Sequence, residues 1–172
     1  MSDENSSLAL VTGGNRGIGL AIAQALVEAG HKVVVTYRSG AAPAGFLAVQ
    51  MDVTSTESVD AAFTAIEAQW GIPEIIVANA GTTKDGLVMR MSDADFEDVI
   101  NANLTGAFRV ARRATKGLLK LKRGRLIFIG SVVGGVGAAG QVNYAASKSG
   151  LLGMARSFAR ELGSRGITAN VI

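Results

Sequence analysis

With 172 residues, 48 % of them hydrophobic, the chain suits one domain with one sizeable core. The absence of cysteine excludes disulfides and thiolate metal sites, and a single histidine argues against a histidine-rich metal centre or a histidine-based triad, so no metal site is expected. A formal net charge of +3 is too weak to argue nucleic-acid binding, and none is expected.

Aromatic residues make up only 5 % beside 22 glycines, which points to tight turns and close backbone packing. Residues 1–7 are polar and lack the basic-then-apolar pattern of a signal peptide. No apolar stretch approaches the length of a membrane span. The expectation is a disordered tail, 1–7, ahead of one domain, 8–172, in the cytoplasm.

Residues 8–12 (LALVT) are an apolar run entering a glycine cluster, as a buried parallel strand would. Residues 18–29 have helical spacing, with Ile18, Ile22 and Leu26 on one face and Gly30 as the stop. Lys32–Tyr37 is β-branched and strand-like, and 46–53 is a further strand. The link 37–46 is too short for a crossover helix. A helix over Thr56–Trp70 ends at Gly71, and a strand follows over 74–78. Ser92 and Asp95 form an acidic version of a capping box that opens one long helix, 95–120. Then come a strand over 125–130, a helix over 143–163 and a last strand over 167–172.

Strands alternating with helices predict an α/β fold: a doubly wound parallel sheet in three layers, α/β/α, of the Rossmann type. The chain ends inside an apolar strand, so it is expected to lack a C-terminal segment.

The run Thr12-Gly13-Gly14-Asn15-Arg16-Gly17-Ile18-Gly19 falls between the first strand and the first helix. A dinucleotide pyrophosphate needs such a place, because glycines admit close backbone approach and a helix N-terminus offers free N–H groups. Gly13, Gly17 and Gly19 carry the spacing, with Asn15, Arg16 and Ile18 between them. An acid at the end of the second strand would bind a ribose 2′-hydroxyl. Here Arg38 stands instead, and Arg16 with Arg38 suits a 2′-phosphate, so the expected cofactor is NADP(H). Asp52 and Val53 end the third strand, and Asn79, Ala80 and Gly81 follow the fourth, where ligands gather. As isolated residues, turn formation explains them equally well.

Tyr144 and Lys148 are spaced i,i+4 and share one helix face. A nearby ammonium favours the phenolate, which suits a tyrosine that hands a proton to a carbonyl oxygen. Lys148 also has donors for the ribose hydroxyls of a bound nicotinamide nucleotide. Ser131, just after a strand, can donate to the same carbonyl oxygen. Asn103 is a polar residue inside the long helix, where its amide can hold a water or bond to backbone. Each alone has an ordinary structural reading, and the order and spacing of all four carry the argument.

Together, Thr12 to Gly19, Asn79-Ala80-Gly81, Asn103, Ser131 and Tyr144-Ala145-Ala146-Ser147-Lys148 resemble the short-chain dehydrogenase/reductase family. Residues 11–19, 101–108, 129–133 and 143–148 are most similar to its bacterial 3-oxoacyl-[acyl-carrier-protein] reductases. The short link after Arg38 is similar to their actinobacterial members, including the mycobacterial enzyme of fatty-acid elongation. The resemblance covers 8–172. It implies NADPH-dependent reduction of a 3-oxoacyl thioester, linked to acyl carrier protein or coenzyme A, in fatty-acid biosynthesis. It implies Asn103, Ser131, Tyr144 and Lys148 as the catalytic tetrad. It also implies a homotetramer or homodimer built through the helices over 95–120 and 143–163.

An acidic carrier would be steered by basic surface near the site mouth, and the resemblance points to Lys122 or Arg123 with Arg165. Family members continue past residue 172 into a Pro-Gly turn, a substrate-covering segment and another strand. Two alternatives stay open: a reductase of another ketone or alcohol, and a non-catalytic NADP-binding module.

Overall fold

Strands buried on both faces of a parallel sheet read as unbroken apolar runs, and the first two strands do so. In the computed structural model, which describes residues 6–172, β1 (Leu8–Val11) is buried throughout and β2 (Lys32–Tyr37) is buried from Val33 to Thr36. After them come β3 (Leu47–Gln50), β4 (Ile75–Ala78), β5 (Gly124–Phe128) and β6 (Ile167–Val171). All pair in parallel, in the order β3-β2-β1-β4-β5-β6. The chain runs outward from β1 to β3 and then returns to place β4 beside β1. The order therefore reverses between β1 and β4, and ligands bind at such a switch point, beyond the carboxyl ends of the strands.

The helices are α1 (Gly17–Glu28), α2 (Thr56–Trp70), α3 (Asp93–Ile100), α4 (Gly106–Leu121), α5 (Val133–Val136) and α6 (Val142–Leu162). One face of the sheet carries the larger core, in which Leu10, Val34, Ile76, Leu126 and Phe128 pack on Phe63 and Ile66 of α2, Val110 and Leu118 of α4, and Leu151 of α6. On the other face, Val11, Val33, Val35 and Val77 pack on Ile22, Ala23 and Leu26 of α1. Toward β6 this second face is open, and Arg125 and Thr168 are exposed there.

No helix joins β2 to β3, as the short link predicts. Strand β3 is shorter than the predicted 46–53, because its ladder with β2 ends at the Tyr37–Gln50 pair. Beyond it, the Asp52 N–H turns to the Ser58 hydroxyl of α2.

The long helix predicted over 95–120 is instead two helices joined by a π-helical turn, Asn101–Thr105, in which the Gly106 N–H reaches back to the Asn101 carbonyl. Two local features favour the widened turn: Asn103 directs its amide sideways to another segment, and Gly106 lies so close to Val53 that a Cβ there would meet Cγ2 at 2.8 Å. The capping box at Ser92 and Asp95 forms as predicted. The short α5 was not predicted, since two of its four residues are glycines.

Residues 1–5 of the predicted tail lie outside the described residues. Ser7 donates its N–H to His31 Nδ1 and its hydroxyl to Glu74. Among the described residues, no helix is long and apolar enough to cross a membrane, and no group of three or more His, Cys, Asp or Glu could hold a metal ion.

Candidate active site

The glycine-rich turn is built by backbone constraints that side chains would break. Gly13 and Gly17 have φ of +64° and +53°, which L side chains rarely adopt. Gly19 packs so tightly that a Cβ would run into the Gly13 carbonyl oxygen and meet the Asn79 amide nitrogen at 2.5 Å. No side chain caps the N-terminus of α1, and its first turn carries no acid. Its leading N–H groups and the positive end of its dipole are therefore left for an anion.

Gly13, Asn15, Arg16, Gly17, Ile18 and Gly19 form one wall of an open cleft of about 540 Å³. Arg38, Asp52, Val53, Asn79, Ala80 and Gly81 line the same cleft. Ser39, Gly40, Met51, Thr54, Thr82 and Ala102 also line it, and no motif had pointed to them.

Asp52 is held as a carboxylate. Burial pushes its pKa up, but the hydroxyl and N–H of Thr54, at 2.7 and 2.9 Å, together with Arg38 and Arg109, bring it below 3.8. These residues fit a phosphorylated dinucleotide: an uncapped helix end for the pyrophosphate, and exposed Arg16 and Arg38 on the same cleft for a further phosphate.

A second cleft of about 380 Å³ shares Arg16, Ile18, Asn79, Gly81 and Thr82 with the first, and Tyr144 and Lys148 stand at its far side with Ile129 and Gly130. Lys148 is only 8 % exposed and its ammonium donates to the Ile129 carbonyl at 2.6 Å. Burial lowers its pKa below 10.5. The same ammonium lies 5.6 Å from the centre of the Tyr144 ring.

Asn103 is buried in the π turn. It accepts the Thr82 N–H at 2.8 Å and donates to the Thr82 carbonyl at 3.0 Å and the Ser147 hydroxyl at 3.1 Å. Both of its N–H donors are thus committed to the Thr82 loop and to α6. Ser147 in turn donates to the Tyr144 carbonyl at 2.7 Å. Ser131 follows β5 and its hydroxyl accepts the Val133 N–H at 3.2 Å, at the turn into α5. It is not among the residues lining either cleft.

Lys122, Arg123 and Arg165 are placed elsewhere. They precede β5 and β6, at the amino edge of a parallel sheet whose cleft lies at the carboxyl edge, so they do not border the mouth of this chain's own site. Arg123 is also paired with Glu74 at 2.7 Å. Their expected place near the mouth is therefore corrected.

Thr12, Asn143 and Ser147, which the motifs include without giving them a role, are all buried polar side chains. A threonine before a glycine run and an asparagine beside a candidate tyrosine are weak signals, because only tertiary contacts give them partners.

The parallel sheet carries the glycine turn at its switch point and the Tyr144–Lys148 helix across the cleft. The profile of the short chain dehydrogenase family matches residues 7–172, and the chain belongs to that family. It is 59 % identical over 163 residues to the 3-oxoacyl-[acyl-carrier-protein] reductase MabA of Mycobacterium tuberculosis, covering 95 % of this chain and 66 % of that protein. It is 56 % identical to the reductase of the same name from Mycobacterium avium, over 95 % of this chain and 64 % of the relative. It is 45 % identical to the 3-oxoacyl-[acyl-carrier-protein] reductase FabG of Vibrio harveyi, over 96 % and 71 %. The chain thus spans slightly less than two thirds of the length of the mycobacterial relatives.

Proposed function

We propose that the chain forms the cofactor-binding and catalytic part of a cytoplasmic reductase that converts a 3-oxoacyl thioester, carried by acyl carrier protein or coenzyme A, to the 3-hydroxyacyl thioester with NADPH. The observation that carries this reading is the continuity of the two clefts, which brings the glycine turn and the Tyr144–Lys148 pair onto one surface. Reductases of this name in Mycobacterium and Vibrio support the substrate class.

The residues divide the work. The α1 N-terminus and the glycine turn bind pyrophosphate, while Arg16 and Arg38 hold the 2′-phosphate that distinguishes NADPH. NADPH, when bound, supplies the hydride. Tyr144 donates its phenolic proton to the oxygen of the reduced carbonyl. Lys148 stabilises the resulting phenolate and donates to ribose hydroxyls. Ser131 donates its O–H to the carbonyl oxygen, since its bond with the Val133 N–H uses only an acceptor lone pair. Asn103 fixes the Thr82 loop against α6. Half-exposed Phe96, Phe108 and Leu152 on α3, α4 and α6 support a homodimer or homotetramer that covers these side chains.

The test is NADPH consumption with acetoacetyl-CoA beside simple ketones and alcohols, with product identified by mass spectrometry. A 3-hydroxybutyryl thioester is the expected product. Turnover of simple ketones without the thioester would favour a different ketone reductase, and NADPH binding without any turnover would favour a non-catalytic module.

A further inference from the structure

The loop after β4 is fastened on several sides. Thr82 exchanges two hydrogen bonds with Asn103, and the Gly86 N–H donates to the Gly140 carbonyl at 2.8 Å. The Lys84 ammonium pairs with Asp95 at 3.2 Å and Asp98 at 2.7 Å. At the centre stands Asn143, with no exposed surface. Its Nδ2 donates to the Lys84 carbonyl at 2.9 Å and to the Asp95 carbonyl at 3.2 Å, while its Oδ1 accepts the Tyr144 N–H at 2.7 Å. One side chain therefore joins the loop, the first turn of α3 and the backbone of Tyr144. The same loop places Thr82 and Thr83 on the wall that faces Tyr144 and Lys148. This arrangement calls for two donors and one acceptor on a short side chain, which an asparagine amide supplies.

We infer that Asn143 is a positioning residue for the reaction proposed above: it sets Tyr144 against the loop that walls the cleft. The inference rests on the reading of Tyr144 as proton donor. Asn143 acts through Tyr144 and does not line either cleft. The glycine turn lies outside the clasp, whereas Thr82 and Lys148 border the cofactor surface, so the effect falls more on turnover than on NADPH affinity.

Three variants of the chain test it. Asn143→Ala is expected to lower kcat about 10- to 100-fold, the scale of a small misplacement of a reacting group, with a smaller loss of NADPH affinity. Asn143→Asp keeps the shape and the acceptor but has no donor when ionised. Its protonation restores one O–H donor, so its kcat relative to the parent is expected to recover as pH falls. Lys84, Asp95 and Asp98 are the charged groups around the position, with Tyr144 beside it. A residue needed only for folding would not produce that profile.

Amide hydrogen exchange reads the clasp without any turnover. In Asn143→Ala, residues 82–86 and 144–148 are expected to exchange faster together, while 13–22 stays as in the parent. Lys84→Ala, at an exposed position, is expected to show a weaker form of the same pattern and decides the matter if the Asn143 variants do not fold. Loosening confined to one of the two segments, or an unchanged kcat in a loosened variant, overturns the inference. A parent chain without reductase turnover would instead overturn the functional reading, and the exchange data would still judge the clasp.

Discussion

Thr12 and Asn79 lock the ends of neighbouring strands at the floor of the cleft. The Thr12 hydroxyl accepts the N–H groups of Asn79 and Ala80 at 3.0 and 2.9 Å, and the Asn79 amide donates back to the Thr12 carbonyl at 2.9 Å. Both strand ends meet the glycine turn here, so stability and cofactor binding share these bonds. Thr12→Val keeps the shape and removes the acceptor, leaving the half-buried Ala80 N–H without its partner while the Asn79 N–H keeps the Val77 carbonyl. The expected cost is about 1–3 kcal/mol, read as a lower denaturation midpoint together with weaker NADPH binding. An unchanged midpoint would show that the hydroxyl is dispensable.

Arg38 tests the choice of cofactor. It is exposed on the cleft, and no acid stands at the end of β2 to take a ribose hydroxyl. Arg38→Glu is expected to weaken NADPH binding roughly 10- to 100-fold, the equivalent of about 1.5–3 kcal/mol for a hydrogen bond to a charged group. NADH binding should change little or improve. Titration of both cofactors checks it, and an equal loss for the two would contradict the assignment.

Some of this was legible in the chain and some was not, for identifiable reasons. The run from β1 through Gly13–Gly19 to α1 could be read because an apolar strand, a glycine turn and a helical stripe each leave a local pattern. The Ser92–Asp95 capping box is local too. The π turn over Asn101–Thr105 could not be read as such, because helical periodicity continues on both sides and the widening depends on Thr82 and Val53, distant in sequence. Asn143 gave only a weak signal for the same reason: its partners, Lys84 and Asp95, come from other elements. Lys122, Arg123 and Arg165 read as a basic cluster, but only the strand order shows which edge of the sheet they occupy.

Lys148 links function to stability through pH. Burial lowers its folded pKa below 10.5, so between the two values the unfolded chain binds more protons than the folded one. Stability therefore rises with pH across that window. The penalty for burying the ammonium is full below the folded value and fades as pH approaches 10.5. Lys148→Met removes that penalty. The variant is expected to match or exceed the parent's urea midpoint near neutral pH, with the difference shrinking as pH rises, and to lose turnover. A difference that does not vary with pH would contradict this account.

Glu67 has the opposite sign. Arg113 grips it with two hydrogen bonds of 2.8 Å, and that grip outweighs burial and holds the carboxyl below 4.5. A depressed folded pKa gives stability that is present above 4.5 and is lost as pH falls through the folded value. Glu67→Gln lacks this contribution. Thermal midpoints are expected to favour the parent at neutral pH and to converge with the variant in acid. A gap that persists in acid would assign the effect to packing instead.

The central claim is that Tyr144 is the proton donor on a cofactor surface continuous with the glycine turn. The most direct measurement is NADPH oxidation with acetoacetyl-CoA by the parent chain and by Tyr144→Phe, each with its NADPH affinity measured alongside. Turnover is expected in the parent and a loss of roughly 100-fold or more in the variant, within the range of general-acid catalysis, with NADPH bound equally well by both. Turnover that survives the loss of the phenol would contradict it.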